Sequence, residues 1–358
     1  VINMTIGEPK HKFPDWVRPT LVEAKEGFNS YPDNNGTPEV RGAITGFLQR
    51  SYALDLDMDN QVMVLNGTRE GLFNAVVALG QTDSKILIPN PFYQVYTVAA
   101  MAIGAQSVYL PARAESGFLP DLDALTPQEL NQTSVFFLCS PSNPQGAVAS
   151  EAYWSRLLHL AETYDFKIFA DECYSEIYRS APPPGALQVA AQMGADPERV
   201  VAFHSLSKRS NLPGLRSGFV ASGPKNISRL KQLRAYAGCP VAGPIQHVSA
   251  KVWSDEDHVV ANRQLYCGKF EAADHIFAGI QSYNSPEAGF FLWLPVEDDE
   301  AAAVKLWTEK GLRVLPGSYL GQIANEQNPG SGYIRVALVA PKEEMQRGLT
   351  ILRDCLYR

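Results

Sequence analysis

Cysteine is scarce in this chain of 358 residues: the five (Cys139, Cys173, Cys239, Cys267, Cys355) are scattered, with no Cys-x-x-Cys. Such a set builds no disulfide framework, and a reducing cytoplasm is the expected setting. The six histidines form no His-x-x-x-His and no Cys/His cluster, so no metal site is expected. No apolar run approaches the ~20 residues of a membrane span, and the opening lacks the apolar core of a signal peptide. Net charge is −7 and the pI is near 5.5. No basic tract stands out, which argues against nucleic-acid or anionic-membrane partners. Gly-x-Gly-x-x-Gly and Gly-x-x-x-x-Gly-Lys-[Ser/Thr] are both missing, and with them the two commonest nucleotide signatures. There is no internal repeat and no low-complexity stretch. Val1 is not methionine and residues 2–6 already read as a strand, so a preceding segment is expected.

What is there is an ordinary globular composition, 45% apolar and 19% charged, long enough for two domains. Thr37-Pro38-Glu39 reads as the N-cap and first turn of a helix. From residue 61 an alternation sets in, with apolar strands expected at 61–65, 85–89, 107–110, 134–138, 167–170, 200–203 and 217–221. Helical patterns lie between several of them. Strands buried on both faces and spaced by helices give an α/β domain with a largely parallel sheet. Beyond residue 243 the pattern changes to helices at 245–253 and 257–277. Short strands follow at 290–294, 313–315 and 333–337, then a closing helix at 343–355. The expected division is a large α/β domain over 31–243 and a smaller α+β domain from 1–30 and 244–358.

Ligands in open α/β sheets lie outside the carboxyl ends of the strands. That rule picks out the stretch from His204 to Gly218, which leaves an apolar strand and turns into loop chemistry. Ser205, Ser207 and Arg216 suit a phosphate. Lys208, in their midst and beside Arg209, has the setting of a nucleophilic amine. The bland alternative is a solvated Lys-Arg pair. The sharp one is a Schiff-base lysine beside a phosphate cup, which means pyridoxal phosphate.

Other strand ends offer matching chemistry, each with a plain counterpart. Asp171 is either an N-cap or the ion-pair partner of a pyridinium nitrogen. Tyr174 is a half-buried aromatic or a donor to the cofactor's phenolate oxygen. Asn143, in Ser140-Pro141-Ser142-Asn143-Pro144-Gln145-Gly146, is a turn residue or a donor to the same oxygen. Gly67-Thr68-Arg69 joins a strand to a helix N-terminus, where an anion is favoured. Tyr93 is core, or lies flat on the cofactor ring. Arg335, in an apolar strand, points to water or clamps a substrate α-carboxylate.

Taken in order, Asn-Pro-x-Gly (143–146), Asp-Glu-x-Tyr (171–174), Ser-x-Ser-Lys (205–208), Arg-x-Gly (216–218) and Ile-Arg-Val (334–336) resemble the class I/II aminotransferases of the fold-type I pyridoxal-phosphate enzymes. The likeness runs from Gly7 to Arg335. It implies a mostly parallel seven-stranded sheet between helices, and a homodimer with shared active sites. It also implies roles: Lys208 carries the cofactor, Asp171 pairs with its ring nitrogen, and Tyr174 and Asn143 serve its phenolate oxygen. Ser205, Ser207 and Arg216 would hold phosphate, joined by Tyr31 from the other subunit. Gln145 departs from the family's usual threonine. More narrowly, residues 7–11, 66–70, 89–96, 171–178 and 204–211 are similar to the N-succinyldiaminopimelate aminotransferases of bacterial lysine synthesis.

The reaction implied is a ping-pong transfer between an amino acid and a 2-oxo acid, glutamate and 2-oxoglutarate being the usual second pair. Gly7, Asn143, Arg335 and Lys10 are the candidate substrate contacts. His11 and Arg69 are further candidates for a succinylated tail. Alternatives on the same scaffold are an aminotransferase for aspartate or another amino acid, a C–S β-lyase, or the effector domain of a pyridoxal-phosphate-binding transcription regulator.

Overall fold

A computed structural model describes residues 1–324 and 326–357. The strands are β1 (Ile2–Asn3), β2 (Val62–Leu65), β3 (Lys85–Asn90), β4 (Gln106–Pro111), β5 (Thr133–Cys139) and β6 (Lys167–Asp171). They continue with β7 (Val200–Ser205), β8 (Gly218–Ser222), β9 (Phe291–Pro295), β10 (Leu312–Arg313), β11 (Leu315–Pro316) and β12 (Tyr333–Ala337). Seven of them form one sheet in the order β2-β8-β7-β6-β5-β3-β4. β8 alone runs opposite to the other six strands, so the sheet is mostly parallel as expected.

The strands form because both their faces are covered. Val64, Phe136, Ile168 and Ala202 point into one core with Phe47, Trp154 and Leu158. Their neighbours Leu65, Phe137, Phe169 and Val201 point into the opposite core with Leu72, Tyr96 and Ile227. Every residue of β5, β7 and β8 is buried. Period-two alternation of this kind makes the register unambiguous, since a one-residue slip would exchange the two cores. Cys139, Asp171 and Phe203 are therefore held side by side at the carboxyl edge.

The smaller sheet, β11-β12-β9, is antiparallel and backs onto a third core that includes Met4, Leu294, Val336 and Leu349. The strand expected at 313–315 is two short ones: β10 pairs with β1 and β11 with β12. Buried Val314 lies where the chain changes partner. The helix expected at 245–253 spans Gly243–Ser254, and its Val248, Val252 and Trp253 join the large core. As a proposal, the division of 31–243 against 1–30 and 244–358 then moves its second boundary to the turn before the helix Asp257–Ile276.

The stretch 204–218 is not all loop. Ser205 Oγ accepts from the Ser207 amide at 3.1 Å and caps a helical turn, Leu206–Arg209, that carries Lys208. A serine N-cap satisfies one of the orphan amides of such a turn, which makes four residues enough to fix the lysine's direction.

Candidate active site

The carboxyl ends of β2, β5, β6 and β7 open on a cavity of about 530 Å³. Twelve of the expected site residues line it: Gly7, Thr68, Arg69, Tyr93, Asn143, Asp171, Tyr174, Ser205, Ser207, Lys208, Arg216 and Arg335. Gly67 lies just behind, and the other two are outside the lining. Lys10 is exposed, and Tyr31 is fully exposed.

At one end is an anion cup. Gly67 starts the helix Thr68–Leu79 without any side-chain cap, at φ +77°. A Cβ there would overlap the Arg216 guanidinium, so glycine is required both by the backbone and by the close approach. Ser205 Oγ and Ser207 Oγ stand 2.9 Å apart and buried. Uncapped helix amides, two hydroxyls and a guanidinium form a phosphate-shaped donor set.

Asp171 is buried, and its Oδ2 accepts from the Tyr96 hydroxyl at 2.8 Å. The Cys173 amide reaches Oδ1 at 3.4 Å. No cation hydrogen-bonds to it among the described residues, and burial pushes its pKa up against those two donors. A buried carboxylate without a counter-cation is costly. It fits the N–H of a protonated ring nitrogen, which is the group that pyridoxal phosphate would bring. Below it, His204 Nε2 and Glu172 Oε2 form a buried pair at 3.0 Å, and Glu172 Oε1 accepts from the Ala186 amide at 2.7 Å.

The Lys208 amine donates to Gly7 O at 2.5 Å and sits 5.5 Å from the Phe290 ring and 6.0 Å from that of Tyr174. Burial lowers its pKa to about 8, with Cys173 and Glu8 opposing the shift. Gly7 can come this close because it has no side chain; a Cβ would strike Phe291 and Phe290. Among the described residues, Arg335 is buried without a carboxylate partner: Nη1 donates to Asn143 Oδ1 at 2.9 Å and Nη2 to Thr5 O at 2.7 Å. Its Nε has no partner among the described residues, and burial lowers its pKa to about 10. A guanidinium held by neutral acceptors fits a carboxylate. With its oxygen on Arg335, the Asn143 amide group is left to donate.

Sequence reading missed Tyr96. It sits in an apolar helix, Val95–Ala102, where an aromatic reads as core. The ring is stacked on Phe137 at 4.2 Å while the hydroxyl serves Asp171. Tyr96→Phe keeps that stack and deletes the donor. At pH 7 it is expected to destabilise the cofactor-free protein by about 1.5–3 kcal/mol, the range for a hydrogen bond to a charged group. Asp171 has a raised folded pKa, so its charge costs stability as pH rises through that pKa. The gap between variant and wild type should therefore shrink as pH falls into the carboxylate range. Urea melts at several pH values measure it, and a pH-independent gap would detach the effect from Asp171.

The family model for aminotransferases class I and II matches residues 1–352. The LL-diaminopimelate aminotransferase of Moorella thermoacetica is 30% identical over 369 residues, covering 99% of this chain and 91% of that protein. Among solved structures, an aminotransferase from Neisseria meningitidis is 38% identical with a TM-score of 0.94, covering 99% of this chain and 92% of that one. A probable N-succinyldiaminopimelate aminotransferase from Thermus thermophilus is 25% identical with a TM-score of 0.90, covering 99% and 95%.

Proposed function

The chain belongs to the class I and II aminotransferases, which depend on pyridoxal phosphate, and from that premise we propose its donor and the roles of its residues. The proposed reaction moves the amino group of N-succinyl-LL-diaminopimelate to 2-oxoglutarate, by a ping-pong mechanism. Free LL-diaminopimelate, the substrate in the name of the Moorella relative, is the second reading. The observation that carries an acid-tailed donor is the charge of the lining. Arg69, Lys208, Arg216 and Arg335 stand there against Glu8 and Asp171. A phosphate and one α-carboxylate engage Arg216 and Arg335, and the cofactor takes Lys208, which leaves Arg69 as the lining cation without an assigned anion.

The cofactor, when bound, supplies an aldehyde for the amino group and a ring that delocalises the electron pair left at Cα. In this reading Thr68, Ser205, Ser207 and Arg216 hold its phosphate, and Tyr31 of a second copy reaches the same group. Tyr93 faces its ring, and Asn143 and Tyr174 donate to its phenolate oxygen. Asp171 keeps a proton on the ring nitrogen. Arg335 fixes the substrate by its α-carboxylate and so aims the Cα–H at Lys208 Nζ. Lys208 takes that proton as general base, for which an amine with a pKa near 8 is suited.

A comparison of amino donors with 2-oxoglutarate as acceptor tests the substrate. N-Succinyl-LL-diaminopimelate should give the highest kcat/KM, above free LL-diaminopimelate, aspartate and alanine, because tail binding is expressed as discrimination. Preference for the free diamine would establish the second reading. Preference for aspartate or alanine would overturn both.

A further inference from the structure

The helical turn Leu206–Arg209 is capped at its start by Ser205, and so short a helix leaves its last carbonyls without partners of its own. Its far side is fastened from the helices Gly243–Ser254 and Asp257–Ile276 and the turn between them. Arg209 is buried, its guanidinium 5.1 Å from the rings of both Phe47 and Trp253. It donates to Val252 O at 3.0 Å and to Glu256 Oε1 at 2.7 Å. The Ser210 hydroxyl lies 2.8 Å from His258 Nε2, and His258 Nδ1 pairs with Asp255. This Ser-His-Asp arrangement is fully buried at its serine, so it fastens the turn and takes no substrate.

Those contacts hold residues 209 and 210. Among the described residues, the side chain that hydrogen-bonds the lysine's own carbonyl is Asn262, one helical turn beyond His258 and buried. Its Nδ2 donates to Lys208 O at 3.3 Å and to Arg209 O at 3.2 Å. Asn211 Nδ2 donates to its Oδ1 at 2.9 Å, and His11 Nδ1 lies 3.3 Å from the same oxygen. With its oxygen so engaged, the amide turns its N–H groups to the two carbonyls. His11 packs on Tyr266 at 4.9 Å and belongs to the segment whose Gly7 O meets Lys208 Nζ. One side chain therefore touches both the peptide of the lysine and the stretch of chain that receives its amine. We propose that Asn262 is a positioning residue for the reaction, holding the Lys208 peptide so that the amine stands at Gly7 O. The inference rests on the reading of Lys208 as the reacting amine.

The test compares wild type with Asn262→Ala, which leaves room for water at the two carbonyls, and Asn262→Leu, which keeps the volume without a donor. Each apoenzyme is melted in urea, then reconstituted with pyridoxal phosphate by stopped flow across pH. Burial holds the Lys208 amine near a pKa of 8, with Arg216 and Arg335 adding to the shift and Cys173 and Glu8 opposing it. An amine whose peptide is no longer held samples better-solvated positions. The pH midpoint of cofactor capture should therefore rise in both variants toward that of an ordinary lysine. In steady state kcat should fall roughly 10–100-fold, the scale of a ~1 Å misplacement, with KM for the amino donor little changed. Lower stability with the wild-type midpoint and kcat, in either variant that folds, overturns the proposal and makes Asn262 a cap only. So does a shift confined to Asn262→Leu, which would be crowding. A Lys208→Ala protein with wild-type turnover would instead sink the reading of Lys208, and the inference with it.

Discussion

Lys208→Ala is expected to fold, to bind pyridoxal phosphate, and to lose turnover by roughly 10⁴-fold or more, the upper range for a positioned general base. The fold should survive because the Lys208 side chain makes one hydrogen bond, to Gly7 O, and its helical turn is capped independently by Ser205. Cofactor binding should survive because, among the described residues, no hydrogen bond joins the lysine side chain to the anion cup or to Asp171. The wild-type amine has its own signature. Burial holds its pKa near 8, so the neutral amine that captures the cofactor's aldehyde grows in as pH rises through about 8. The rate of apoenzyme reconstitution should climb over the same range, and the variant should lack that dependence. Stopped-flow absorbance measures both. A variant with wild-type turnover, or a second lysine labelled by borohydride reduction, would remove Lys208 from the reaction.

Asp171→Asn is expected to trade activity against stability. An amide cannot hold a protonated ring nitrogen by charge, so turnover should fall by at least ~10²-fold, as when one preorganised electrostatic partner is removed. The cofactor-free protein should move the other way. Asp171 is a buried carboxylate whose folded pKa is raised by burial, so its ionisation costs stability above that pKa. Asparagine keeps an acceptor for the Tyr96 hydroxyl and carries no charge. The apo variant should melt above wild type at neutral pH, and the difference should close as pH falls through the pKa of Asp171. Calorimetry of the two apoproteins across pH reads this directly. A variant that is both slow and less stable at every pH would make Asp171 a structural cap.

The seven-stranded sheet was legible because β5, β6 and β7 are apolar on both faces, a pattern few surface segments share. The lining residues were legible because parallel strands deliver their carboxyl ends to one edge, where Asp171, Ser205 and Asn143 stood out as polar groups after apolar runs. Position next to a motif was a weaker guide. Lys10 and His11 follow Gly7-Glu8-Pro9 directly, yet neither lines the cavity, because backbone direction beyond Pro9 is a tertiary matter. Tyr96 escaped for the opposite reason: its ring belongs to the core and only its oxygen to the site. The helical turn carrying Lys208 escaped because four residues hold no periodicity, and the Ser205 cap that makes it also reads as phosphate chemistry.

The peptide carbonyls of Thr5 and Gly7, resting on Arg335 and Lys208, act as an internal competitor at the site. Each is a neutral acceptor, whereas a carboxylate brings an opposite charge and two oxygens to a guanidinium fork. On the role proposed for Arg335, a carboxylate displaces Thr5 O, whereas an amine lacking an α-carboxylate brings nothing to replace it. For such a compound the chain's own backbone is the better ligand. On that role, polyamines and decarboxylated amino acids are expected to be poor donors, since they leave the Thr5 and Gly7 carbonyls in place.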